Sequence, residues 1–395
     1  MEREYAGELA RGVTPFETLY AEAMAKPRIL AVDVGTGTQD ILVFEAGTVI
    51  ENAVQMVMPS PTMLVAARVR QATADRKDLL LTGVTMGGGP GHWAVESHLS
   101  AGLRVFATPQ AARTFDDDLD RVQAMGIRVV DDGEVARYSS CTHLELRDFY
   151  FDAVAQALTA FGVPTEFDAV AVAVFDHGAA PAGYSDRRFR FDYLREQVAR
   201  GARLENFGFL AGTIPARMTR MQAVVRTWTG DAPLFVMDTA PAAVLGSLED
   251  PALRAVRRAL LVNVGNFHTI ALRLENGQIR AMFEHHTGEL TSDELESYLD
   301  QLAAGTVSND RVFDDMGHGA LDLGPAEHPP EIVAVTGPRR ALLRGSRIQT
   351  YAAVPHGDMM IAGCFGLLRG VAAHLPEHAP AIEEALGPPA FQNRV

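Results

Sequence analysis

The stretch "ILAVDVGTGTQDILVF", Ile29 to Phe44, places two Gly-Thr pairs between two apolar runs. Ile29 to Val34 reads as a buried strand, because β-branched residues dominate a short apolar run with one carboxylate, Asp33, near its end. Ile41 to Phe44 reads as the returning strand. A hairpin tip of Gly35, Thr36, Gly37 and Thr38 offers backbone N–H groups unobstructed by Cβ atoms together with two hydroxyls, a surface suited to phosphate oxygens. A plain glycine-rich hairpin accounts for the same residues without a ligand.

The last third of the chain repeats this grammar. In "LLVNVGNFHTIALRL", Leu260 to Leu274, an apolar strand, a polar residue, a Gly-led turn and a second apolar strand follow in the same order. Asp33-Val34-Gly35 aligns with Asn263-Val264-Gly265, and Thr38 aligns with Thr269 just ahead of the resumed strand. Two such hairpins, each opening a three-strand run, point to duplicated domains facing one ligand.

Outward from the hairpins, strands and helices alternate. Strands are expected at Ile29–Val34, Ile41–Glu45 and Thr48–Met58, a helix at Thr62–Thr73, and further strands at Leu79–Thr85, Leu103–Thr108, Ile127–Val130, Asp168–Phe175 and Leu234–Met237. The second run is Ala259–Val264, Ile270–Leu274, the turn "ENGQ" and Ile279–Glu284. Residues 1–26 read as a polar, helix-prone lead-in and 376–395 as a C-terminal tail.

Composition narrows the function classes. At 395 residues, 47% hydrophobic and 22% charged, the chain can fill cores of two or three domains. A net charge of -15 argues against a nucleic-acid or anionic-membrane partner. Lys26 and Lys77 are the only lysines, which leaves almost no candidate for a phosphate-loop or Schiff-base lysine. Cys141 and Cys364 are too few for a disulfide framework or for an iron–sulfur cluster. With no signal-like N-terminal segment and no apolar run long enough for a bilayer, a cytoplasmic setting is expected.

These residues resemble the superfamily of acetate and sugar kinases, heat-shock 70 chaperones and actin. The resemblance implies an α/β fold of two ribonuclease-H-like, actin-like ATPase domains: 27–245, with an inserted α/β segment at 78–150, and 246–375. It implies ATP and Mg²⁺ held between two phosphate-binding hairpins, with adenosine at a third motif, here "EIVAVTGPRRALL" ending its strand at Thr336-Gly337. "LFVMDTAPAAVLGSL", Leu234 to Leu248, and "GDMMIAGCFGLLRGV", Gly357 to Val371, resemble the two crossing helices of that superfamily. More narrowly, "TMGGGPGHWAV", "VFDHGAAP", "FEHHTGEL" and "MGHGA" resemble a family labelled pyruvate formate-lyase activating enzyme. Such an activase is a radical enzyme that needs three clustered cysteines, which this chain lacks.

On that resemblance, phosphate contacts fall to Gly35, Thr36, Gly37, Thr38, Gly265, Asn266 and Thr269, and nucleoside contact to Gly337. Asp33 is the candidate ligand for Mg²⁺; its structural alternative is a turn Asp accepting backbone N–H bonds. Asn263 stands where many relatives carry a second acid, and so removes a charge. Asp176 and His177 end a buried strand where an open α/β sheet meets its ligand. Asp176 is the candidate general base, against a turn-capping role, and Asp238 is its rival, with a helix N-cap as the simpler job.

His285 and His286, with Glu284, are candidate substrate contacts or half of a metal site. Neighbours on a strand face opposite ways, so one functional and one structural histidine is expected, just ahead of a helix with the capping box Thr291 and Glu294. His318 is isolated in "MGHGA". Gly88 and Gly89, before Pro90, are a candidate acceptor site at a helix start, against tight strand–helix packing. The leading reading is an ATP-dependent phosphotransferase or ATPase acting on a small acceptor or water. The alternatives are a nucleotide-gated regulatory module without turnover and a metal hydrolase using His177, His285 or His286.

Overall fold

The computed structural model describes residues 26–390, so nearly all of the expected N-terminal lead-in lies outside the described residues. The fold is mixed α/β and is built on three sheets. In the first, β1 (Arg28–Val34) runs antiparallel to β2 (Thr38–Glu45), which pairs antiparallel with β3 (Val54–Pro59). On its other side β1 pairs parallel with β8 (Ala169–Val174), then come β10 (Leu234–Asp238) and β9 (Gly208–Leu210), in the order β3-β2-β1-β8-β10-β9. Burial on both faces explains why β1 and β8 read as continuous apolar runs rather than alternating ones: Ile29 to Val32 and all of Ala169–Val174 are buried.

The second sheet follows the same plan. Its strands β11 (Arg258–Val264), β12 (His268–Glu275), β13 (Gln278–His286), β14 (Gly319–Asp322), β15 (Ile332–Thr336) and β16 (Tyr351–Ala352) take the order β14-β13-β12-β11-β15-β16. The two opening hairpins share one turn geometry. The Gly35 N–H donates to the Thr38 carbonyl at 2.9 Å, and the Gly265 N–H to the His268 carbonyl at 3.0 Å. The registers agree as well, with Val34 opposite Gln39 and Val264 opposite Thr269. This corrects one equivalence from the sequence: Thr38 corresponds to His268, not to Thr269. The "ENGQ" turn has left-handed Asn276 (φ 50°) and Gly277 (φ 76°), which matches the right-handed twist of the strands β12 and β13.

The remaining sheet has the order β6-β5-β4-β7, all parallel, from β4 (Leu79–Gly83), β5 (Val105–Ala107), β6 (Ile127–Val129) and β7 (Thr142–Leu146). It has its own core, shared with the helix Pro61–Ala74 through Val65, Ala66 and Val69. Between the two six-stranded sheets, the helices Thr239–Ser247 and Ala362–His374 cross at backbone distance. A Cβ on Gly246 would lie 1.6 Å from the Ala362 carbonyl oxygen, and one on Gly366 would lie 1.9 Å from that of Ala242.

Several elements depart from the sequence expectation. Thr48–Met58 is not one strand: a single 3-10 turn, Ile50–Asn52, precedes β3. The expected C-terminal tail contains a helix, Ala379–Leu386, anchored by buried Ile382 and Leu386. Among the described residues no helix is long and apolar enough to cross a membrane.

Candidate functional site

The C-terminal ends of β1, β8, β11 and β15 open onto one cleft of about 470 Å³, lined from both six-stranded sheets and by the loop before the helix Pro90–Ser100. The two hairpin tips meet there: a Cβ on Gly37 would lie 2.8 Å from Asn266 Nδ2. The third side is closed by Gly89, whose Cβ position is 3.3 Å from Thr36 Cγ2, and by Trp93 stacked on Phe267 with ring centroids 5.3 Å apart. Of the residues singled out from sequence, Asp33, Gly35, Thr36, Thr38, Gly88, Gly89, Asp176, His177, Gly265, Asn266, His286 and Gly337 line the cleft. Thr269 does not: it is fully buried, bonded to the Thr287 hydroxyl at 2.9 Å.

Close backbone approach is built into the cleft walls. Gly337 has φ 98°, and a Cβ there would lie 2.4 Å from the Val264 carbonyl oxygen, so only glycine fits. Gly35 does not adopt a positive φ, yet its Cβ would sit 3.0 Å from the Thr38 carbonyl oxygen.

Asp33 and Asp40 face each other across β1 and β2. Asp40 was not singled out from sequence, where it falls between the Gly-Thr turn and the strand expected to begin at Ile41. Burial, eased by the Thr239 hydroxyl, pushes the Asp33 carboxyl up to about 7. Burial and the neighbouring Asp33 charge push Asp40 up to about 8. Oδ1 of Asp40 is buried with no hydrogen-bond partner. Two close carboxylates with a vacant buried oxygen fit a hard divalent cation such as Mg²⁺, which takes oxygen ligands and would replace the protons the pair otherwise retains.

Asp176 is engaged differently from the general base expected of it. Its Oδ1 accepts the Gly178 N–H at 2.8 Å, and its Oδ2 accepts those of Arg220 at 3.0 Å and Met221 at 2.8 Å. The carboxylate therefore clamps the β8 loop to the start of the helix Thr219–Thr227, a positioning role. Burial raises its pKa, against the pull of those N–H donors. Asp238 caps the helix Thr239–Ser247 through the Ala240 N–H and also binds Arg190.

Arg190, fully buried, joins the two six-stranded sheets. It donates to Asp238 at the end of β10, to Glu284 Oε1 and Oε2 in β13 at 3.1 and 2.8 Å, and to the Asp176 carbonyl at 3.1 Å. Burial works against the Glu284 carboxylate, but Arg190 and His318 outweigh it and hold the group well below the usual carboxylate range. His318 Nδ1 bonds Glu284 Oε1. Arg190 was not singled out from sequence, since "DRRFRFDYLREQVAR" is a charge-rich run with no local mark of a buried arginine.

The paired histidines split as expected, although both belong to β13 rather than to the loop after it. His286 turns to the cleft. His285 packs against Tyr298 on the opposite face, with Asp315 3.7 Å from its Nε2. His268, absent from the sequence candidates, sits directly across from His286 and stacks on Phe175 at 3.9 Å. With His177 from β8 and His318 ahead of β14, a histidine cluster forms at the inner end of the cleft.

Fold and site together define an α/β protein with paired glycine hairpins closing on one polar cleft. The chain belongs to the family described as "Putative pyruvate format-lyase activating enzyme (DUF1786)", whose model matches residues 86–342, more than half of its length. The two free cysteines, Cys141 and buried Cys364, cannot supply the three-cysteine cluster which that description would require. No curated protein matches the chain. Among solved structures it is similar to the PPX-GPPA enzyme of Aquifex aeolicus, with 9% identity and a TM-score of 0.29 over 79% of this chain and 68% of that one. An exopolyphosphatase from Cytophaga hutchinsonii gives 8% identity and a TM-score of 0.29, covering 82% and 72% of the two chains. A ROK family transcriptional regulator, a homologue of the E. coli MLC protein, gives 10% and 0.22, covering 68% and 43%.

Proposed function

We propose that the chain is an ATP-binding phosphotransferase or ATPase that moves the γ-phosphoryl group to a small acceptor or to water, with the two six-stranded sheets as the paired ribonuclease-H-like domains of an actin-like fold. The observation that carries this reading is the meeting of two hairpins of one geometry, Gly35–Thr38 and Gly265–His268, at a single cleft. The five-strand order common to both sheets, β3-β2-β1-β8-β10 and β13-β12-β11-β15-β16, supports it, and so do the two crossing helices between them. In this reading 27–245 is the first domain, carrying 78–150 as its insertion, and 246–375 is the second.

The backbone N–H groups of Thr36, Gly37 and Asn266 hold phosphate oxygens at tips that the Gly35 and Gly265 N–H groups close, and Gly337 lets the backbone lie close to the nucleoside. Asp33 and Asp40 hold Mg²⁺, which supplies charge neutralisation of the phosphate chain. The cleft also carries Asp117, raised to about 6 mainly by burial, and Asp148, which is paired with Arg220. Gly88 and Gly89 lie on the third wall, where an acceptor would enter. Phosphoryl transfer is mostly positioning and electrostatics, and Asp176 contributes by fixing the His177 loop.

Calorimetry with ATP and ADP, with and without Mg²⁺, tests the reading when paired with a phosphate-release assay. The expected result is Mg²⁺-dependent binding with turnover. Binding without turnover under any acceptor would favour the nucleotide-gated module, and no binding removes both.

A further inference from the structure

We propose that His177, His268, His286 and His318 form a binding site for one first-row transition-metal cation of the zinc class, at the inner end of the cleft and separate from the hard-cation position at Asp33 and Asp40. The argument starts from hydrogen-bond bookkeeping. His318 Nδ1 faces the Glu284 carboxylate, whose two oxygens accept from Arg190 and so act as acceptors, and Nδ1 therefore carries the hydrogen. His286 Nδ1 faces the Met316 carbonyl at 2.8 Å, also only an acceptor, so that Nδ1 carries its hydrogen too. In the neutral rings both remaining Nε2 atoms then present lone pairs, and these face each other at 3.1 Å. Two lone pairs at that distance repel unless something positive lies between them.

The surroundings favour a metal ion as that charge. Nitrogens bound to one Zn²⁺ at about 2.0–2.1 Å in tetrahedral geometry sit roughly 3.3 Å apart, close to the spacing of this pair. His268 Nε2 is buried without a partner, and His177, His268 and His318 each offer a nitrogen within 4.8 Å of the others. The carboxylate behind His318 is the usual outer-sphere arrangement of a metal-binding imidazole, fixing its tautomer and ring orientation. Glu284 is fixed in turn by Arg190. Arg190, Asp238 and Glu284 together leave one uncompensated negative charge beside the cluster when both acids are ionised, which a cation offsets. All donors are imidazoles, a set that suits Zn²⁺, Co²⁺, Ni²⁺ or Cu²⁺ and not Mg²⁺. The site joins both sheets, since His177 follows β8 while the other three belong to the β12, β13 and β14 edge.

The test is metal titration of the chelator-stripped full chain in the absence of nucleotide, so its outcome is independent of the phosphotransferase reading. One Co²⁺ per chain is expected, with visible d–d absorption and displacement by Zn²⁺ but not by excess Mg²⁺. His268→Gln and His318→Gln should each weaken Co²⁺ binding at least about tenfold, since even an outer-sphere partner is worth that much. His328→Gln, at an exposed position outside the cleft, should leave it unchanged. If His318→Gln does not fold, His286→Gln at the partly exposed rim carries the same expectation. Absence of Co²⁺ and Zn²⁺ binding in the wild type would overturn the proposal, leaving a proton on His318 to bridge the rings. Equal binding in His268→Gln and His286→Gln would overturn it as well.

Discussion

Asp33 and Asp40 sit directly opposite each other in the first hairpin, both buried, with carboxyls raised to about 7 and about 8 by burial and, for Asp40, by its neighbour. The folded state therefore holds protons that the unfolded chain, with Asp near 3.8, has released. Stability from this pair is fully present below about pH 4 and is lost as pH rises through about 7 to 8. Each group contributes a slope of at most about 1.4 kcal/mol per pH unit across that window. Denaturant melts of wild type and Asp40→Asn at pH 5 to 8 should show a shallower decline in the variant. Mg²⁺, replacing the protons, should stabilise the wild type more at pH 8 than at pH 6; a pH-independent gain equal in both proteins would contradict the paired-carboxylate account.

The Arg190–Glu284 pair gives a second expectation. Glu284→Gln removes one of the two carboxylates bound to the fully buried Arg190 and weakens its charge-assisted hydrogen bonds while Asp238 still balances the guanidinium, a loss of about 1.5–3 kcal/mol. Urea unfolding checks it. A loss below about 1 kcal/mol would mean that the network is not what joins the sheets.

The crossing helices give a third. Gly246→Ala places a methyl group 1.6 Å from the Ala362 carbonyl oxygen, and backbone cannot yield as a side-chain tip can. A loss at the upper end of overpacking costs, about 3 kcal/mol or more, is expected in thermal or chemical melts. Gly133→Ala, with nothing within 4 Å of the added methyl, is the control and should be close to neutral.

What could be read in the sequence is what local patterning encodes. Both hairpins, the buried strands β1, β8 and β11 and the capping box at Thr291 follow from short-range rules, and the structure places them accordingly. The opposite facing of His285 and His286 follows from strand periodicity alone. Asp40 was hidden for want of register: once the turn is fixed at Gly35–Thr38, Asp33 and Asp40 must face each other. His268 was hidden by a one-residue misalignment of the second turn. His318 was noted but stood isolated and Arg190 was not noted, because the Glu284 carboxylate that each meets lies 34 and 94 positions away. Asp176 was found as a cleft residue, but two of its three backbone donors depend on a helix start that sequence periodicity does not locate.

The central claim is that the two hairpins hold one nucleotide between them, and calorimetric titration of Mg²⁺-ATP into wild type, Gly35→Val and Gly265→Val tests it most directly. Added Cβ atoms would lie 3.0 Å from the Thr38 carbonyl oxygen and 2.7 Å from that of His268, so each valine distorts its own tip. Binding in the wild type should raise the melting temperature by a few degrees, since ligand at about 100 times its Kd stabilises by roughly 2.7 kcal/mol. The account predicts that either substitution alone abolishes binding while cooperative melting persists. Wild-type-like affinity in either variant, or no heat of binding in the wild type, would contradict it.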